Sequence, residues 1–208
     1  MAKSADPYPV QFSVDYPDRQ LDRLSTVFRL LAIIPIGIVL GLVEGGYSEE
    51  WYYQIGLTAG GLVFGAPLLM ILFRRKYPRW WFDWNVALLR FENRVVAYLL
   101  LLRDEYPSTD EEQAVHLEVP YPNVEIELNE WLPLVKWLLA ILHYVALVFL
   151  FILLVFVVIA AWFAILFTGR YPRELFAYVV GTMRWSNRVV AYAFILTTDQ
   201  YPPFQLRS

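Results

Sequence analysis

Six arginines fall in two sets at one spacing: Arg79, Arg90 and Arg94, then Arg173, Arg184 and Arg188, each 94 positions further on. A guanidinium carries five N–H donors in a planar fork. Such a group suits the phosphate of a lipid headgroup, and it serves equally to stitch a helix to a neighbouring strand. Around each set the chain is aromatic or aliphatic, with Trp80, Trp81, Trp84 and Trp185 close by and Trp131 at the head of the later apolar run. Tryptophan at such places anchors a segment at headgroup depth. These residues are therefore the candidate lipid-headgroup or interface arginines and the candidate interfacial anchors.

Other chemistry is thinly represented. The chain has no Cys and two His, His116 and His143, which excludes thiol nucleophiles, disulfides, Cys-ligated metal and a multi-histidine site within one chain. His143 follows Lys136 by seven residues; an interhelical hydrogen bond is its default role, and a haem there would lack an in-chain partner. The acidic group Asp110, Glu111, Glu112, His116 and Glu118 has no defined ligand spacing and reads as a solvated turn. No Gly-Lys-Ser/Thr phosphate loop, Gly-x-Gly-x-x-Gly or His-Glu-x-x-His is present. No catalytic residue, metal or cofactor is assigned on this basis.

The elements that carry these residues are set by composition. Of 208 residues, 58% are apolar and 18% charged, with a net charge of −3 and a mean hydropathy of +0.44. A disordered chain is excluded, an ordinary soluble domain is a poor fit, and nucleic acid is not an expected partner. Uncharged runs cover Leu30–Val43, Trp51–Phe73 and Trp137–Gly169. A bilayer core of about 30 Å needs roughly 20 apolar helical residues. Trp51–Phe73 suits one crossing, whereas the last run is too long for one upright pass and barely enough for two.

An internal repeat shapes the expected layout. Tyr77-Pro78-Arg79 recurs as Tyr171-Pro172-Arg173, and Asn93-Arg94-Val95-Val96-Ala97-Tyr98 recurs unchanged as Asn187-Arg188-Val189-Val190-Ala191-Tyr192. Asp104-Glu105-Tyr106-Pro107 matches Asp199-Gln200-Tyr201-Pro202, and the pattern Val10–Pro17 matches Val115–Pro122. Two tandem units follow. Residues 1–107 hold a strand over 10–16, a membrane hairpin over 26–73 with a polar loop over 44–54, and an amphipathic helix over 79–102. Residues 108–114 form an acidic linker. Residues 115–208 hold strands over 115–121 and 124–128, a hairpin over 132–168 with its loop trimmed, and an amphipathic helix over 173–197. The fold class is thus an all-α membrane protein of two tandem repeats, each a transmembrane or re-entrant helical hairpin plus an interfacial amphipathic helix, with short cytoplasmic β-strands.

Every Lys and Arg lies outside the apolar runs and outside the 44–54 insert, which contains Glu44, Glu49 and Glu50. With two crossings per unit, all the basic residues fall on the cytoplasmic side. That arrangement gives a multi-pass protein with both termini cytoplasmic. On a helical wheel Arg79, Asp83, Arg90, Asn93 and Arg94 share an arc of about 100°. A narrow basic stripe on an apolar helix suits the membrane interface; packing of the apolar face on the other unit, with the stripe toward the cytosol, fits as well.

The Tyr-Pro-Arg turns, the Asn-Arg-Val-Val-Ala-Tyr blocks, the Val14–Pro17 opening and the Tyr201-Pro202-Pro203-Phe204 ending resemble a bacterial integral-membrane family described only as a domain of unknown function (forty-three eighty-nine in that series). Trp131–Ile141 and Ala161–Pro172 carry the nearest likeness. The first unit departs from it at the 44–54 insert and at Ser108, where Pro-Phe would follow Pro107. The resemblance implies a bacterial inner membrane and no activity, ligand or catalytic residue.

Three functions fit this reading. First is a non-enzymatic accessory or scaffold subunit that contacts lipids and other membrane-protein subunits. Second is a lipid-binding or transport protein with a headgroup site near Arg90, Arg94, Arg184 and Arg188. Third is a membrane-shaping protein whose shallow hairpins wedge one leaflet.

Overall fold

A computed structural model describes residues 8–44, 59–111 and 113–207. The 44–54 loop, apart from Glu44, lies outside the described residues, as does the start of the Trp51–Phe73 run. The chain is mostly helical. Its elements are β1 (Gln11–Val14), α1 (Arg23–Ala32), α2 (Ile34–Glu44), α3 (Ala59–Arg74), α4 (Arg79–Leu99), β2 (Val115–Glu118), α5 (Val124–Glu127), α6 (Pro133–Leu139), α7 (Ile141–Thr168) and α8 (Arg173–Ala193). Among the described residues, two segments, Arg23–Gly41 and Ile141–Thr168, are long and apolar enough to cross a membrane.

Local chemistry explains the boundaries. The Asp22 carboxylate accepts the Leu24 N–H at 2.9 Å and caps α1. Pro78 and Pro172 precede α4 and α8, where a missing N–H leaves no helical bond unmade. Gly169 ends α7 at φ 72°, its N–H donating to the Ile165 carbonyl at 2.7 Å, a left-handed closure that glycine makes without steric cost. Leu101 and Leu196, just past α4 and α8, take φ 66° and 56°. For leucine that conformation costs about 1–2 kcal/mol, and both side chains are buried, which offsets it.

Two expectations are corrected. The 132–168 hairpin does not form, because 141–168 is one continuous helix. Its sequence holds neither Gly nor Pro until Gly169, so nothing interrupts the hydrogen-bond ladder. The strand over 124–128 is instead the single turn α5. There Ile126 and Glu127 N–H groups both return to the Asn123 carbonyl, and the Glu127 carboxylate accepts the Asn123 N–H at 2.8 Å. Val124 and Leu128 are buried while Ile126 is 82% exposed, the period of a helical turn rather than of a strand.

β1 and β2 pair antiparallel with Phe12 opposite Leu117, shorter than the strands expected over 10–16 and 115–121. α4 and α8 run antiparallel. Tyr77 before α4 donates its O–H to the Ile195 carbonyl past α8 at 2.9 Å. Tyr171 before α8 approaches the Leu100 carbonyl past α4 at 3.5 Å. Midway, Asn93 and Asn187 exchange amide bonds at 2.8 and 2.7 Å. α8 is the buried centre: Val179, Thr182, Ala191 and Ala193 have no exposed surface. Phe176, Val180 and Met183 join Phe12, Val14, Leu117 and Ile165 in the main core.

Candidate functional site

The arginine stripes divide into two groups. Arg90 donates from Nε to the Leu117 carbonyl at 3.0 Å, and Arg184 does the same to the Phe12 carbonyl at 2.9 Å. These carbonyls belong to residues that face each other in the sheet. Arg184 also reaches the Leu206 carbonyl at 2.8 Å. Arg94 donates to the Ser108 and Glu111 carbonyls, both at 2.7 Å, and Arg188 to the Arg207 carbonyl at 3.2 Å. All four side chains are directed at backbone oxygens of remote segments and tie α4 and α8 to the sheet, the linker and the C-terminal segment. Burial lowers the pKa of Arg94, Arg184 and Arg188; the neighbouring Arg90 and Arg184 guanidiniums add to the effect on Arg94 and Arg188. Arginine stays charged through such shifts, so each carbonyl receives a charge-assisted bond.

Arg79 and Arg173 remain at the rim, exposed at the starts of α4 and α8. Arg79 pairs with Asp83 at 3.1 Å and lies 4.8 Å from the Tyr121 ring centre. Arg173 lies 4.6 Å from the Tyr16 ring centre. The two tyrosines are held in matched fashion, Tyr121 donating to the Tyr77 carbonyl and Tyr16 to the Tyr171 carbonyl. A cleft of about 570 Å³ opens between Arg75–Pro78 and Tyr121–Glu125. A smaller one of about 240 Å³ lies among Tyr16–Arg19, Arg170, Tyr171 and Arg173.

The tryptophans also separate. Trp80 and Trp131 are each 65% exposed, and Trp84 is 39% exposed. Trp81 is half-buried and stacks edge-on against Trp80. Trp185, expected at the interface, is only 7% exposed. Its Nε1 donates to His143 Nδ1 at 3.0 Å, and His143 in turn stacks on Phe204 with ring centres 4.1 Å apart. His143 thus makes an interhelical bond between α7 and α8. Asp110, Glu111, His116 and Glu118 line one cleft of about 300 Å³ together with Arg90 and Arg94; Glu112 lies outside the described residues.

Two buried ion pairs went unread in the sequence. Arg29 Nη2 meets Asp104 Oδ1 at 2.5 Å, and its Nη1 donates to the Tyr98 and Arg103 carbonyls. Lys136 Nζ meets Asp199 Oδ1 at 2.6 Å and donates to the Thr198 carbonyl at 2.7 Å. Each cation also faces a repeated tyrosine, Tyr98 at 4.2 Å and Tyr192 at 5.2 Å. Burial lowers the Lys136 pKa, opposed by its bond to Asp199. The recurrence of Asp104-x-Tyr-Pro as Asp199-x-Tyr-Pro was the signal available in the sequence.

The stretch that holds Lys136, Arg184, Arg188 and Asp199 is similar to a known family. Residues 133–205 match the family described as Domain of unknown function (DUF4389). The DUF4389 match takes in α6, α7, α8 and the Tyr201-Pro202 turn, about a third of the chain. No curated protein matches the chain, and no solved structure does.

Proposed function

We propose that this chain is a non-enzymatic accessory or scaffold subunit of a cell membrane, built from two copies of one unit about an approximate twofold axis. One observation carries the reading: large apolar side chains stand exposed along α1, α6 and α7. α7 alone exposes Leu142, Phe149, Phe156 and Phe167. Patches of this extent mark contact with lipid or with another protein. The matched contacts support the two-copy arrangement. Tyr77, Arg90, Asn93 and Arg79 each find, in the other half, the counterpart of what Tyr171, Arg184, Asn187 and Arg173 find in the first.

The basic residues lie toward the sheet and the turns, and on this reading that side is cytoplasmic. Because Arg90, Arg94, Arg184 and Arg188 bind internal carbonyls, the scaffold reading stands ahead of a headgroup site at those four. Native mass spectrometry from mild detergent tests it. A stoichiometric complex with another membrane subunit is the expected result, and a strictly monomeric, partner-free protein overturns it.

A further inference from the structure

α7 starts beside the end of α8 and finishes beside its start. Ala140, just before α7, packs with Tyr192 and Ala193, and Gly169, just after it, precedes the Tyr171-Pro172 turn into α8. Between these ends His143 bonds Trp185 and the Leu150 carbonyl accepts the Tyr178 O–H at 2.9 Å. Those contacts are seven residues apart on both helices (150 − 143 and 185 − 178) in opposite chain order, about 10 Å along each. The two helices therefore run side by side, antiparallel.

α8 cannot stand upright in a bilayer. Arg184 pins β1 to the middle of α8, and Arg90 pins β2 to the middle of α4. With these helices along the membrane normal, the sheet would sit at mid-depth. The exposed carboxylates of Asp15, Asp110 and Glu118 would be costly there. The 28 residues of α7 span about 42 Å, longer than a hydrocarbon core of about 30 Å, so length by itself permits a crossing and the position of the sheet decides against it.

Resting on the membrane reading above, we infer that α7 lies along one leaflet instead of crossing it, its exposed apolar side chains taking the acyl chains of that leaflet. The occupant of this surface is lipid. From Ile141 to Thr168 the helix has no charged residue, and its exposed positions occur on successive turns around most of its circumference. Trp131 and Trp137 flank one end and Arg170 and Arg173 the other, all exposed. These residues place both ends of α7 at a membrane–water interface; the sheet pinned to the middle of α8 is what puts both ends at one face.

The test uses the full chain in phosphatidylethanolamine–phosphatidylglycerol vesicles. Spin labels are placed singly at Leu142→Cys, Phe149→Cys, Phe156→Cys and Phe163→Cys, all exposed positions near one helical face. Collision with oxygen and with a water-soluble nickel chelate reports depth. The inference predicts four depths within about 5 Å of one another. An upright helix would spread 21 residues of label positions across about 30 Å, giving a maximum depth near the centre and shallow ends, which overturns the inference. A chain that fails to float with the vesicles contradicts the membrane reading itself, so the two failures are told apart.

Discussion

At the scale of single residues, the centre of the molecule is the amide pair Asn93–Asn187. Each Nδ2 also donates to a carbonyl one turn back, Leu89 at 2.7 Å and Met183 at 2.9 Å, so both donors of each amide are used. Asn93→Leu alone leaves the Asn187 amide without its partner in a buried site and should cost about 1–3 kcal/mol. The double change to leucine should recover part of that loss. Unfolding in micelles followed by tryptophan fluorescence measures the coupling, expected at about 0.5–3 kcal/mol; simple additivity would contradict the pairing. Tyr77 gives a pH prediction. Burial raises its pKa, and Tyr171 behaves likewise. Above the ordinary tyrosine pKa of about 10 the unfolded chain releases protons that the folded chain retains, so stability falls as pH rises past that value. Tyr77→Phe should flatten this alkaline fall. It should also weaken the protein at neutral pH, since Asn85 Nδ2 donates to the Tyr77 hydroxyl at 3.0 Å. An unchanged alkaline profile in the variant would contradict the buried placement.

At the scale of elements, the C-terminal segment is a structural part of α8. A Cβ on Gly181 would meet the Leu206 Cβ and carbonyl oxygen, both at 2.9 Å. Ala ordinarily favours a helix over Gly by about 1 kcal/mol, yet here a backbone atom must move. Gly181→Ala should therefore lower stability, read as an earlier thermal midpoint and faster proteolysis of residues 200–207; a stabilised variant would show that the segment is not held on α8.

The elements also show what the amino-acid order made legible. Alternation marked strands over 10–16 and 115–121 but left their antiparallel register to the structure, and the repeated Asn block marked a repeat without indicating that its amides meet. The second hairpin was inferred from the first unit, but the trimmed loop leaves no breaker to fold it. Val124–Leu128 alternates, yet positions 124 and 128 also share a helical face, and the bonds to Asn123 decide between the two. The arginine stripes were visible as stripes. Their carbonyl acceptors at Phe12, Ser108 and Arg207 lie too far along the chain for spacing to indicate. Trp185 looked like an anchor because the ring of His143 beside it comes from another helix.

At the scale of the whole molecule, the account rests on both halves meeting the membrane from one side, with the Tyr77-Pro78-Arg79 and Tyr171-Pro172-Arg173 turns on the same face. The antiparallel α4 and α8 place those turns at opposite ends of the pair. They share a face only if the pair lies along the membrane, the orientation inferred above from the sheet pinned to its middle. Native cysteine is absent, so Lys76→Cys and Arg170→Cys, both exposed and each just before its turn, can be probed without background. The decisive measurement is labelling of these two variants by an impermeant maleimide in sealed right-side-out vesicles, before and after permeabilisation. The account predicts that neither position labels in the sealed vesicles and both label once they are opened; labelling of one from outside while the other stays protected would contradict it.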